Sequence, residues 1–208
     1  MKSAWANTWI HRLAVFTALA TLCLIGLGGL VTSKGAGLAV PDWPTSYGYN
    51  MFLLPVNHWV GNIFYEHTHR LLASVIGLLT AGLAASIWIR ENTGKPKRAG
   101  LFFIFAALLL MGVRTQGMFI AMAGVAVCVL IYCFYRLVNP QDRLRWWAMI
   151  AFCTVLVQGV LGGIRVTLAE NQIGILHGIL AQSFFVLICA ISIWTSKWWQ
   201  NAKRTDSV

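Results

Sequence analysis

The stretch GILHGILAQSFFVLICAISIW, residues 174–194, contains no Asp, Glu, Lys or Arg. A helix needs about 20 mostly apolar residues to cross a bilayer. In lipid, only a helix or a closed barrel satisfies every backbone N–H and C=O. This stretch therefore reads as a transmembrane helix, interrupted by one ionisable side chain, His177. Working outward, residues 13–31, 66–89 and 146–164 read the same way. Residues 99–137 are apolar except around Arg114-Thr115-Gln116-Gly117. As one helix they would cross about two bilayers at about 1.5 Å per residue, so they read as a hairpin turning at Arg114. The first span is too long for a signal-peptide core and no convincing cleavage site follows it, so it is expected to be retained. The expected class is an all-α integral membrane protein, a single membrane domain over residues 1–208 with four core helices, an inserted transmembrane hairpin and six spans in total.

Composition agrees with this reading. The 208 residues are 58% hydrophobic and 11% charged, with mean hydropathy +0.70, whereas soluble domains carry about 25% charged residues. That excludes a water-soluble globule, and ten Trp in so apolar a chain exclude disorder. The formal charge is +10, from 16 Lys+Arg against 6 Asp+Glu. With both termini inside, 12 of the 16 basic residues fall on inner segments, leaving Lys34, Arg70, Arg114 and Arg165 outside. The surplus is then a positive-inside topology signal, and no nucleic-acid partner is expected. The expected location is the cell inner (plasma) membrane, multi-pass in lipid, with both termini cytoplasmic. Cys23, Cys128, Cys133, Cys153 and Cys189 all lie in apolar runs, so neither a disulfide framework nor a zinc site is indicated.

The long outer loop, residues 32–65, is the least lipid-like part of the chain. It carries Gly35-Ala36-Gly37, Pro41-Asp42-Trp43-Pro44 and Tyr47-Gly48-Tyr49-Asn50, with Trp43, Tyr47, Tyr49, Phe52 and Trp59 suited to a membrane interface. Its aromatic content points to an ordered cap. No internal repeat is evident. Ionisable groups at membrane depth are costly and mark function, and two clusters stand out at the outer ends of spans. One is Tyr65-Glu66-His67-Thr68-His69-Arg70, in which Glu66 and His69 share a helix face and His67 points elsewhere. The other is His177. Two imidazoles facing each other across a bundle supply both axial ligands of a haem iron. Gly26, Gly28 and Gly29 on the first span and Gly159, Gly162 and Gly163 on the third core helix leave room for a macrocycle. Arg70 and Arg165 stand where haem propionates would emerge. Plainer readings stay open: histidines hydrogen-bonded across helices, glycines as packing faces, arginines snorkelling to the boundary, and Glu66 as a helix N-terminal charge. His11 and His58 read as interfacial or loop residues without a role.

Gly28-Gly29-Leu30-Val31-Thr32 leading into Gly35-Ala36-Gly37-Leu38 and Pro41-Asp42-Trp43-Pro44 resembles the first outer loop of haem A synthases. Glu66-His67-Thr68-His69-Arg70 resembles that family's Glu-x-x-His-Arg motif. Gln158-Gly159-Val160-Leu161-Gly162-Gly163-Ile164-Arg165-Val166 and His177-Gly178-Ile179-Leu180-Ala181-Gln182 resemble its third and fourth core helices. The resemblance covers residues 13–90 and 146–196 and corresponds to one of the two four-helix halves usual in the family, with residues 99–137 as an insertion. Some members carry a Cys pair in the first outer loop; this loop has none, so no thiol step is expected there.

The resemblance implies a four-helix haem-binding bundle with His69 and His177 as axial iron ligands. It also implies a catalytic role for Glu66 beside the methyl group being oxidised, and Arg70 and Arg165 as cofactor-binding residues. The implied activity is a membrane oxidoreductase converting the C8 methyl of haem O to the formyl of haem A, in support of cytochrome oxidase assembly. Haem b is the implied cofactor, or haem O and haem A as substrate and product. One His pair serves one haem, so the full reaction centre implies a homodimer or a partner subunit. Two alternatives from other classes are a non-catalytic di-His cytochrome b passing electrons, and a haem-handling assembly factor.

Overall fold

The computed structural model describes residues 7–91, 95–111, 115–138 and 143–205. Seven helices follow one another: α1 Thr8–Ser33, α2 Gly61–Glu91, α3 Lys95–Met111, α4 Gln116–Leu137, α5 Arg143–Leu168, α6 Asn171–Trp194 and the short α7 Lys197–Thr205. The all-α membrane class expected from the sequence holds. The helices outlast their apolar windows because polar residues complete the terminal turns. The Asn7 side chain accepts from the N–H groups of Trp9 and Ile10 and starts α1 five residues before the expected span. Gly61, at φ +53, turns the loop into α2, so Glu66 lies in the second turn of that helix. The loop accordingly contracts to residues 34–60, with single 3-10 turns at Met51–Leu53 and Val56–His58.

Helices α1, α2, α5 and α6 form a closed ring in which α1 packs on α2, α2 on α5, α5 on α6 and α6 on α1. Lipid tails are as apolar as leucine, so small residues that let backbones approach, and hydroxyls that find local partners, drive such packing. Helix α1 presents a buried stripe of Ala14, Thr17, Ala18 and Thr21 at helical spacing. Thr17 donates to the carbonyl of Leu13 and Thr21 to that of Thr17, at 2.8 and 2.7 Å. Phe152, Cys153, Leu83, Ile87 and Ile188 fill the centre. Large apolar side chains such as Phe16, Phe102, Ile131 and Val186 are exposed on the outside of the helices, as a lipid-facing surface requires.

Five helices are long and apolar enough to span a membrane: α1, α2, α4, α5 and α6. The sixth expected span, α3, has 17 residues, with an apolar stretch only from Arg98 to Leu110. It nonetheless returns the chain from the far end of α2 to the loop end of the bundle. Gly100, in the second turn of α3, packs against Trp88 at the far end of α2. Helix α4 then starts beside the loop, where Phe119 meets Trp43 edge-on and the Gln116 amide donates to the Thr167 hydroxyl. The expected turn at Arg114 lies outside the described residues. Helix α4 packs on α5, and α3 joins α2 to α4 outside the four-helix ring.

Candidate functional site

His69 lies in α2 and His177 in α6, both within the first few turns at the end of the bundle that carries the loop. Each ring is seated against a glycine of the preceding core helix. A Cβ built on Gly28 would stand 3.1 Å from His69 Cε1, and one on Gly162 would stand 3.1 Å from His177 Cε1. Both glycines occur in the same local pattern, Leu27-Gly28-Gly29-Leu30 on α1 and Leu161-Gly162-Gly163-Ile164 on α5. The backbone of Leu24 faces the His69 ring and that of Gln158 faces the His177 ring, in each case four residues before the seating glycine. The α1–α2 and α5–α6 hairpins are thus two versions of one unit. This repeat escaped the sequence reading because 27 residues of loop, 34–60, split the first hairpin, while the second turns within Ala169–Glu170.

The structure brings the expected site residues together. His69 lies against Gly28, His177 against Gly162, and Arg165 against both Gly37 of the loop and Gly174 of α6. Nδ1 of both rings is buried without completing a hydrogen bond. The side-chain amide of Gln158 donates to the His177 carbonyl at 2.7 Å, a contact that the sequence reading missed. His67 is fully buried on another face of α2, edge-on to Trp59 at 4.6 Å. His11 Nδ1 meets the Ser192 carbonyl at 2.9 Å near the opposite end of the bundle, and His58 packs against Tyr47 and Tyr49, so neither joins the site.

The two arginines differ. Arg70 pairs with Glu66 at 2.6 Å and donates to the carbonyls of Val40, Asp42 and Thr45 at 2.7, 2.7 and 3.1 Å. The second Glu66 oxygen accepts the Val40 N–H at 2.9 Å, and the Glu66 residue is 3% exposed. Arg70 and Glu66 therefore spend their polar groups on the loop and on each other. Arg165 instead lies flat over Gly37, its Nη2 2.7 Å from where a Cβ would be, with its Nε 2.8 Å from the same position on Gly174. Among the described residues, no oxygen accepts from the Arg165 guanidinium.

The loop is knotted on itself. Asp42 accepts from the Thr45 hydroxyl and from the N–H groups of Tyr47 and Gly48, at 2.5, 2.6 and 2.8 Å. Partial burial pushes the Asp42 pKa up, but these donors outweigh it and hold the carboxyl below its ordinary 3.8. Trp43 leaves the knot and packs on Gly163 of α5, its Cδ2 only 2.1 Å from where a Cβ would sit.

Among the described residues, no three His, Cys, Asp or Glu side chains converge as a metal cluster. Two imidazoles from separate helices are instead the donor set for iron already held by a macrocycle, which brings four equatorial ligands of its own. The buried Nδ1 atoms fit this, since a ligating histidine turns one nitrogen to the protein and offers the other. The fold thus defines a multi-pass helical membrane protein in which two similar hairpins each seat one histidine ring against a glycine.

Residues 11–119 match the COX15-CtaA family, described as cytochrome oxidase assembly proteins; this is more than half of the chain, and the protein belongs to that family. The match takes in α1, the loop, α2 and α3 and ends in α4; Arg165 and His177 lie beyond it. The chain is also similar to a heme A synthase of Shouchella clausii (strain KSM-K16), 28% identical over 150 residues, which is 64% of this chain and 48% of that protein. It thus spans about half the length of that curated relative. No solved structure gives a significant match.

Proposed function

We propose that this protein is a haem A synthase-like membrane oxidoreductase that binds one haem between His69 and His177 and takes part in oxidising the C8 methyl of haem O to the formyl of haem A. The observation that carries this reading is the matched seating of the two imidazoles, each 3.1 Å from a would-be Cβ on its glycine. His69 and His177 would hold the haem iron through their imidazole nitrogens, each ring steadied by its glycine seat. The haem supplies the redox chemistry. The residues of this chain orient the ring and exclude water. Arg165 offers its guanidinium to a propionate carboxylate, the bidentate pairing that arginine geometry suits. Arg70 would contribute to haem binding through the loop that it holds. A Glu66 contribution follows the same route, since both of its oxygens are engaged there.

A haem held by both His69 and His177 would transfer electrons rather than bind oxygen, which supports a second reading: a di-His cytochrome b module, or a haem-handling assembly factor, serving a separate catalytic haem. In either reading a second His pair, from another copy of this chain or from a partner subunit, completes the relative's full activity. The basic residues at the end remote from the loop support an orientation with that end and both termini on the cytoplasmic side of the plasma membrane.

Pigment analysis of protein purified in mild detergent tests the proposal. Haem O or haem A alongside haem b supports the synthase reading, and haem b alone supports the cytochrome reading. His69→Ala and His177→Ala should each abolish the low-spin haem spectrum while leaving membrane insertion intact; unchanged spectra in both would remove the ligand assignment.

A further inference from the structure

The loop does more than cover the site. Residues 36–45 leave α1, are fastened to α2 and come to rest on α5. The fastening is the Glu66–Arg70 pair with its bonds to the Val40 N–H and to the carbonyls of Val40, Asp42 and Thr45. The rest point is Trp43 on Gly163, supported edge-on by Phe119 of α4 at 4.8 Å, with Gly37 lying under the Arg165 guanidinium. Gly163 is the immediate neighbour of Gly162, the seat of the His177 ring, and Glu66 and Arg70 flank His69 on its own helix. A continuous path therefore runs from the turn bearing His69, through the strap, to the glycine pair that seats His177. Every bond at its α2 end involves a buried charge, and such bonds are strong and geometrically demanding.

The geometry points to Glu66, Arg70 and Trp43 as positioning residues: the Glu66–Arg70 clasp holds the strap, and the strap, through Trp43 on Gly163, fixes how the His177 ring is presented opposite His69. This rests on the proposed haem ligation by that pair. Glu66 and Arg70 then act on the haem without touching it. Loss of partners that orient metal-ligating histidines typically weakens metal binding by about 10–100-fold, and the effect of the clasp should fall at the lower end of that range. Phe retains part of the flat apolar surface of Trp43, whereas a methyl group on Gly163 removes the seat from the α5 side and leaves the clasp untouched.

The test uses the full chain in mild detergent with ferric haem b, comparing wild type with Glu66→Ala, Glu66→Gln, Gly163→Ala, Trp43→Phe and His177→Ala. Three readouts are taken: hydrogen exchange of residues 36–45, the rate of haem transfer to an apo-globin acceptor, and the largest g value of the low-spin ferric signal, which reports the relative orientation of two axial imidazoles. Glu66→Ala and Gly163→Ala, on different helices, are expected to speed strap exchange, to release haem about 10-fold faster and to shift the g value. Trp43→Phe, which keeps part of the ring surface, and Glu66→Gln, which keeps the size of the side chain, should each give a smaller effect of the same sign, and Glu66→Gln carries the test where Glu66→Ala does not fold. Faster strap exchange with an unchanged g value and haem release overturns the proposal. So does a shifted haem signal in Glu66→Ala with an unaltered strap, since that makes Glu66 a direct haem contact. If wild type shows no low-spin signal that His177→Ala removes, the ligation itself falls and the positioning role falls with it.

Discussion

A methyl group at Gly162 or Gly28 would press on an imidazole edge at 3.1 Å, a separation that obliges the ring to give by a few tenths of an ångström. Gly178 and Gly26, on the same pairs of helices, have nothing within 4 Å of a built Cβ. Alanine also favours a helix over glycine by about 1 kcal/mol. Gly162→Ala and Gly28→Ala should therefore leave helix content and thermal stability at or above wild type while shifting the haem spectrum. Gly178→Ala and Gly26→Ala should raise stability in the same way but leave the haem spectrum unchanged, and an absorption spectrum with a thermal melt checks all four. Asp42 gives a second prediction at this scale. Its folded pKa is held below 3.8, so its stabilisation of the loop is complete above that value and is lost as pH falls through the lower folded one. Hydrogen exchange of residues 36–49, corrected for intrinsic rates, should stay flat down to about pH 4 and rise below it, and Asp42→Asn should flatten that rise. At this scale the sequence disclosed Glu66, His69, Arg70, Arg165 and His177 as residue types that do not belong in lipid. It did not disclose what Arg70 holds, because backbone carbonyls such as those of Val40, Asp42 and Thr45 are offered by any residue and leave no mark in the sequence.

Helix α3 shows how far an element can be read from its composition. Its 17 residues reach about 25 Å at about 1.5 Å each, short of a hydrocarbon core of about 30 Å, so length alone makes it a poor span. Its neighbours show that it runs the height of the bundle: Trp88 at one end, and the start of α4 beside Trp43 at the other. A Cβ on Gly100 would lie 2.1 Å from Trp88 Cε2, and the indole is itself packed edge-on against Trp146 at 5.2 Å, so it has little freedom to retreat. Gly100→Val should cost about 1–3 kcal/mol through overpacking. A lowered melting temperature in detergent with an unchanged haem spectrum checks this, because the contact lies far from the histidines. The six expected spans fall in order on α1 to α6, but only five of these helices are long and apolar enough to cross a membrane, and most extend past the expected ends. Hydrophobic windows stop where polar caps such as Asn7 begin, and the helices do not.

Taken whole, the molecule is two similar hairpins closed into a ring, with the loop across one end and α3–α4 along one side. The proposed orientation makes a direct prediction for single cysteines read with a membrane-impermeant maleimide on intact cells. Tyr49→Cys, on the exposed loop, should be labelled at once, whereas Thr8→Cys and Asn201→Cys should be labelled only after permeabilisation. Labelling of all three from outside would overturn the assignment of both termini to the cytoplasm. The proposed site also sets a stoichiometry of one haem per chain, measurable by pyridine haemochrome against protein concentration, with loss of that haem on replacing either histidine.

The sequence by itself determined that the chain lives in a membrane as helices, in what order they run, and which polar residues are out of place there. The cost of exposing backbone and charge to lipid is so large that it writes itself into composition and spacing. Only the tertiary structure decided that His69 and His177 sit on equivalent glycine seats, that Arg70 is hydrogen-bonded to the loop while Arg165 is not, and that Trp43 rests on Gly163. These depend on close approach between segments far apart in the chain, and close approach is a matter of missing side-chain volume and of backbone groups common to every residue.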